Sequence, residues 1–194
     1  MNDHKGFFAM MARMKYIERW ALMRNSVSEN ICEHSLEVAM LAHGLGIIGR
    51  KRFGKDLSPE RLAMLGMYHD CTEIITGDMP TPVKYANDEL KEAYKAIEDS
   101  AAHRLLEMLP EDLRAEYESY FLPEQITPEE YRYVKAADKL SALIKCIEEE
   151  KTGNQEFRSA KQATYESLQQ MNMPEVTVFC EVFLPEYYKT LDEL

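Results

Sequence analysis

The sequence predicts an all-α fold, a compact bundle of roughly seven to nine helices. Three observations carry this expectation. Apolar residues recur at helical spacing along most of the chain, as in Ile31, Val38, Leu41, Leu45 and Ile48. Helix-start signals precede such stripes, among them Ser58-Pro59-Glu60, Asn87-Asp88 and Thr127-Pro128-Glu129-Glu130. No stretch alternates convincingly with period two, and there is no Asn-Gly hairpin signal.

Taken in order, residues 5–16 read as a short helix carrying Phe7, Phe8, Met10, Met11 and Met14. Ser26 and Glu29 fit a capping box that opens a long helix to about Arg50. Its stripe contains His34, three residues after Ile31 and four before Val38. The next helix starts with Ser58 as N-cap and Pro59 in its first turn. Its inner stripe of Leu62 and Leu65 continues into His69 and Glu73, which share a face at a spacing of four. Gly77 stops that helix, and Pro80 and Pro82 stiffen the loop beyond it. Asn87 or Asp88 caps a helix to about Met108, and Pro110 and Pro123 bracket a shorter one. The helix opened at Thr127 runs to about Lys151 and carries Asp138 on or near its buried side, with Tyr131, Val134 and Ser141 on the same stripe. Further helices are expected over residues 155–170, after Pro174 and after Pro185.

The chain has 194 residues, 45% of them hydrophobic, which suits one domain over residues 1–194 with a single sizeable core. A formal net charge of −11 argues against holding long nucleic acid, which needs basic surface, but leaves room for a mononucleotide. Cys32, Cys71, Cys146 and Cys180 form no C-x-x-C pair and sit in apolar patterns, as reduced thiols do. No stretch is expected to span a bilayer, which takes about 18 apolar residues, and no signal peptide is evident. A cytoplasmic protein without a membrane partner is the simplest reading.

Polar residues on buried sides carry the chemistry. A core-facing histidine must be neutral and hydrogen-bonded, or must bind something. His34, His69, Asp70 and Asp138 come from three expected helices. Two imidazoles and two carboxylates suit a first-row divalent ion, and four protein ligands leave positions for water and substrate. Asp138 has a second option, since Lys135 and Lys139 are near enough in sequence to pair with it. Arg19 beside Trp20 joins a planar cationic fork to a large flat ring.

The order His34…His69-Asp70…Asp138 resembles the HD-domain phosphohydrolase superfamily. With Arg19-Trp20, Glu29-Asn30, Glu33-His34-Ser35, Glu73 and the run Gly77-Asp78-Met79-Pro80-Thr81-Pro82-Val83-Lys84-Tyr85, nearly the whole chain is similar to bacterial HD-domain 5′-deoxynucleotidases of the YfbR type. The resemblance implies a compact HD-domain helical bundle. It also implies hydrolysis of 2′-deoxyribonucleoside 5′-monophosphates to deoxynucleoside and phosphate. One divalent metal ion is implied, with Co2+ favoured and Mn2+ or another first-row ion as options, and so is a homodimer. Metal would be held by His34, His69, Asp70 and Asp138. Glu73 would orient or protonate at the reacting centre, and Arg19 would hold phosphate. Trp20, Asp78, Met79, Pro80 and Thr81 would line the substrate site, with His69 and Asp138 beside them. Two competing readings are a hydrolase of nucleoside triphosphates or cyclic nucleotides on the same core, and a non-catalytic HD-like interaction module. The first expects extra cations for further phosphates, and the second is free to lose ligands; neither feature is found.

Overall fold

A computed structural model of the chain describes residues 5–84 and 86–194, so that Tyr85 of the loop motif lies outside the described residues. Helix α1, Phe7–Met11, runs on as a 3-10 segment over Ala12–Tyr16. The long helix α2 is Ile31–Phe53, followed by α3, Pro59–Tyr68, and two single-turn helices, α4 at Glu73–Thr76 and α5 at Thr81–Lys84. Then come α6 (Asp88–Leu106), α7 (Glu111–Phe121), α8 (Pro128–Lys151), α9 (Arg158–Gln170) and α10 (Pro174–Val182). Among the described residues the β structure is one isolated antiparallel bridge, Glu18 with Asn30. The fold is all-α, as expected.

Most helix starts fall where local chemistry puts them. Ser58 Oγ accepts from the Arg61 amide at 3.3 Å, and Asn87 Oδ1 from the Leu90 amide at 2.7 Å. The expected Ser26–Glu29 box does not form. Asn30 caps α2 instead: its Oδ1 accepts from the Cys32 and Glu33 amides at 3.0 and 3.1 Å, and Glu33 reaches back to the Asn30 amide at 3.3 Å. A second correction concerns α8, where Tyr131 is exposed while Tyr133, Ala136, Ala137 and Leu140 are buried. The inner stripe keeps Val134 and Ser141, both buried as expected, and loses only Tyr131 from its first turn.

The chain packs as two units, each drawn from separated segments. The first takes residues 5–22, Ser28–Ser35 and Tyr68–Thr127. Its core gathers Phe7, Ile31, Cys71, Leu105, Leu106 and Phe121. Aromatic rings fill it, with Phe7 and Tyr117 centroids 5.0 Å apart and Tyr68 and Phe121 5.2 Å apart.

The second unit takes Met23–Val27, Leu36–Met67 and Pro128–Leu194. The body of α2 and helix α8 supply most of its core, with Val38, Leu45, Leu140 and Ile144 at or near zero exposure. Gly66 permits close approach of α3 to α2, since a Cβ there would meet Ala39 Cα at 3.0 Å. By length and composition α2 is apolar enough to cross a membrane, contrary to the expectation that nothing comes near. Its window is 56% buried within the protein, and its apolar character is that of a core helix.

A buried polar knot also holds this unit. Glu149, 2% exposed, pairs with Lys145. It accepts from the Ser26 amide at 2.8 Å and from Asn154 Nδ2 at 2.7 Å. Burial alone raises a carboxyl pKa, but here Lys145, Asn154 and Ser26 outweigh it and hold Glu149 down at about 2, against an ordinary 4.5. Unfolding therefore takes up a proton between these two values. The carboxylate's contribution is complete above pH about 4.5 and is lost as pH falls towards 2, a change of about 3 kcal/mol. Chemical denaturation across that window should show this acid limb, and Glu149→Gln should flatten it while lowering stability at pH 7. An unchanged acid limb in the variant would contradict the assignment.

Candidate active site

The Asn30–Glu33 box fixes the first turn of α2, and that turn delivers His34, whose side chain is fully buried. The second histidine arrives differently from the sequence expectation. Helix α3 ends at Tyr68, so His69 and Asp70 do not stand on a helix. They occupy a tight turn, in which the Cys71 amide donates to the Tyr68 carbonyl at 3.1 Å and the Glu73 amide to the Asp70 carbonyl at 3.0 Å. Cys71 is 1% exposed and locks the turn to the core. The expected shared helical face of His69 and Glu73 is thus corrected, because a four-residue turn separates α3 from α4 and Glu73 begins the second helix.

The turn brings the metal-type atoms together. Asp70 Oδ2 lies 3.1 Å from His69 Nε2 and 3.4 Å from His34 Nε2. The imidazole centroids are 5.2 Å apart. Ligand atoms of His34, His69 and Asp70 all fall within 4.8 Å of one another. Two imidazole nitrogens and a carboxylate oxygen at that spacing fit a divalent first-row ion. Burial works against the Asp70 charge, yet His69 and His34 outweigh it and hold this carboxyl well below the usual range. Asp138 belongs to the second unit, on α8, where Lys135 Nζ pairs with its Oδ2 at 3.0 Å. The three-residue group is complete as a cluster without it.

Glu73 is 6% exposed, and its Oε2 makes no hydrogen bond with the described residues. Burial, then the charges of Asp70 and Asp78, push it up to about 10, while Arg19 and Lys84 oppose the rise. Asp78 is also raised, first by burial, with Asp70 adding and Arg19 opposing. Near neutral pH this places a protonated carboxyl beside an ionised one, the separation that acid–base chemistry uses.

The strand-like approach of residues 17–20 to 29–31 supplies the cation. The Arg19 amide donates to the Glu29 carbonyl and the Ile31 amide to the Ile17 carbonyl, each at 2.9 Å. The Arg19 guanidinium lies 5.6 Å from the Trp20 ring centroid. Trp20 adopts a left-handed backbone, φ 61°, unusual for a bulky residue. The Trp20 backbone is among the groups that oppose the rise at Asp78.

Asp78, Met79 and Pro80 lie in the extended loop 77–80 and are part-buried, and Thr81 opens α5 with an exposed side chain. Both loop ends are tied to α6. Tyr94 donates its hydroxyl to the Gly77 carbonyl at 3.0 Å and lies 3.1 Å from Thr76 Oγ1. Lys84 pairs with Glu98 at 2.8 Å and rests 4.7 Å from the Tyr94 ring centroid. Neither Tyr94 nor Glu98 stands out in the sequence. The only hint is that Tyr94 interrupts an otherwise aliphatic stripe.

Residues 6–187 match the family described as 5′-deoxynucleotidase YfbR-like. A 5′-deoxynucleotidase of Vibrio cholerae is 48% identical over 188 residues, 97% of each chain. One of Erwinia tasmaniensis is 48% identical over 191 residues, 98% of this chain and 96% of that one. This chain belongs to the YfbR-like family. Its fold is that of an HD-domain phosphohydrolase from Listeria innocua, TM-score 0.80 at 23% identity, over 93% of this chain and 87% of that one. A cyanophage S-2L HD phosphohydrolase, solved with dA and one catalytic Zn2+ ion, superposes with TM-score 0.62 at 22% identity over 96% of both chains. The YfbR-like chain thus carries its histidine–aspartate cluster on a helical frame shared well beyond the family.

If the cluster is the metal centre, Asp70→Ala should weaken divalent-ion binding by more than the roughly 10–100-fold lost with outer-shell partners. Glu73→Ala should retain the ion. Isothermal titration with Zn2+ and with Co2+ checks both, and metal loss in Glu73→Ala would make that residue a ligand.

Proposed function

We propose that the chain is a metal-dependent 5′-deoxynucleotidase, hydrolysing 2′-deoxyribonucleoside 5′-monophosphates to deoxynucleoside and phosphate. The observation that carries the chemistry is the buried Glu73 carboxyl. It lacks a hydrogen-bond partner among the described residues and lies within the field of Arg19, Asp70 and Asp78, in the same unit as the His34–His69–Asp70 cluster. The substrate class comes from the relatives, which are named for it.

His34, His69 and Asp70 would hold a divalent ion; Asp138 joins the ligand set on the resemblance alone. When bound, such an ion lowers the pKa of water and polarises a phosphoryl oxygen. Arg19 holds the phosphate and offsets charge on its oxygens. Glu73, kept protonated by burial, donates its proton to the departing 5′ oxygen of the sugar. Trp20 and the loop from Asp78 through Met79 and Pro80 to Thr81 bound the sugar, with Asp78 accepting from the 3′-hydroxyl. His69 and Asp138 border the same substrate. A preformed wall disfavours a 2′-hydroxyl by leaving it clashing or unpaired. We further infer that Co2+ is the best activator, that the enzyme works as a homodimer, that the two units form one HD domain, and that it resides in the cytoplasm, consistent with its free cysteines.

The test is kcat/KM for dAMP, AMP, dGMP, dCMP, TMP and dATP under one metal condition. Deoxyribonucleoside monophosphates should lead by on the order of 10²-fold over AMP with little dependence on base. A preference for dATP would move the chain to the triphosphate branch. Arg19→Ala should weaken all monophosphates alike, and Glu73→Gln should lose about 10²–10⁴-fold in kcat.

A further inference from the structure

Glu29 takes no part in the chemistry above, yet its carboxylate stands where three of the site's residues meet. It is 13% exposed, and its Oε2 accepts from Arg19 Nη1 at 2.9 Å. The same oxygen accepts from the Trp20 indole Nε1 at 2.8 Å. Its other oxygen, Oε1, lies 3.8 Å from Nδ1 of the fully buried His34. The main chain doubles the link, because the Glu29 carbonyl receives the Arg19 amide. A helix-capping role would turn this carboxylate to backbone amides at the start of α2, and Asn30 and Glu33 already fill that role.

We propose that Glu29 is a positioning residue, fixing Arg19 and Trp20 as a preformed pair and registering them against His34. The inference rests on the nucleotidase reading for the identity of the anion. Arginine is a long side chain whose rotamers are lost when it grips a ligand. A carboxylate on one edge of the guanidinium sets its plane before phosphate arrives. The indole N–H lies in the ring plane, so a bond to the same oxygen also sets the orientation of the ring. Trp20 needs such a hold, since its left-handed backbone is costly for a residue with a Cβ and persists only where surroundings impose it. One acceptor atom thus couples the residue for phosphate to the residue for sugar. The other oxygen of that carboxylate sits 3.8 Å from His34 Nδ1 and so places both beside the cluster.

The chain contains a single tryptophan, so all tryptophan emission reports on Trp20. The experiment uses the full metal-loaded protein and Glu29→Gln, which keeps shape but removes charge and one acceptor. Four quantities are read: melting temperature, KM and kcat for dAMP, affinity for inorganic phosphate, and acrylamide quenching of Trp20. The expected result is a fold melting near the wild-type temperature and a KM raised about 10-fold or more. Phosphate affinity should fall in parallel, Trp20 should be quenched more readily, and kcat should change much less. A folded Glu29→Gln with wild-type KM, phosphate affinity and quenching overturns the proposal. So does a lowered melting temperature with those three unchanged, the mark of a purely structural strut. If Glu29→Gln does not fold, Glu29→Asp decides, because it keeps the charge but is too short to reach both donors. Raised KM and quenching at an unchanged melting temperature support the proposal; wild-type values overturn it, as does failure of both variants to fold. Should the wild type not hydrolyse dAMP, the nucleotidase reading fails by itself, and phosphate affinity and quenching still decide the role of Glu29.

Discussion

Adjacent residues on an α-helix point about 100° apart, so only differences in side-chain reach let both meet one neighbour. The site depends on the chain escaping that rule at residues 69 and 70. Helix α3 stops at Tyr68, and the following turn lets His69 and Asp70 converge while Cys71 takes the core position. The partner they meet, His34, is delivered by the first turn of another helix whose start is fixed by Asn30. The buried Cys71 thiol anchors this turn in the core of the first unit. Its pKa is raised well above the ordinary value, mainly by that burial, so it stays an inert apolar anchor.

Three acids sit close to this turn and experience it in opposite ways. Burial disfavours the charge of Asp70, Glu73 and Asp78 alike. Only Asp70 has two imidazoles against its carboxylate, and it alone is driven down. Glu73 and Asp78 then feel Asp70 as a like charge and are driven up. Such crowding would be a liability in a core without a function, and in an enzyme for phosphate esters it has a use. A divalent ion placed at Asp70 would offset part of that repulsion, while burial, the larger cause of the rise at Glu73, would remain. The overall charge of −11 is consequently no obstacle to the proposed anionic substrate, because exposed charges more than about 8–10 Å apart are largely screened.

Much of this was legible in the sequence where the signal is local. The caps at Ser58 and Asn87 depend on a side chain reaching an amide three residues ahead, and a linear reading finds them. The choice of His34, His69 and Asp70 was legible as well, from residue types and order. The misplaced start of α2 has a physical reason. Ser26-x-x-Glu29 and Asn30-x-x-Glu33 are consecutive boxes of similar local merit, and what removes Glu29 from the contest is its bond to Arg19 and Trp20, about ten residues back. No local rule ranks a long-range partner. The break of α3 was hidden for a similar reason, since Leu62, Leu65, His69 and Glu73 keep a helical period across a segment that is not helical. Asp138 is where the sequence raised two options, a lysine or a metal, and Lys135 Nζ lies 3.0 Å from its carboxylate.

The loop 77–80 is held at both ends to one helix, by Tyr94 at Gly77 and by the Lys84–Glu98 pair just past Pro82. Many hydrolases close a mobile lid over the substrate and open it to let product leave, and that opening often sets the turnover rate. Here Tyr94 and the Lys84–Glu98 pair fasten both ends of the segment to α6. On the proposed nucleotidase reading, such fastening favours recognition by fit to a standing wall over recognition by closure.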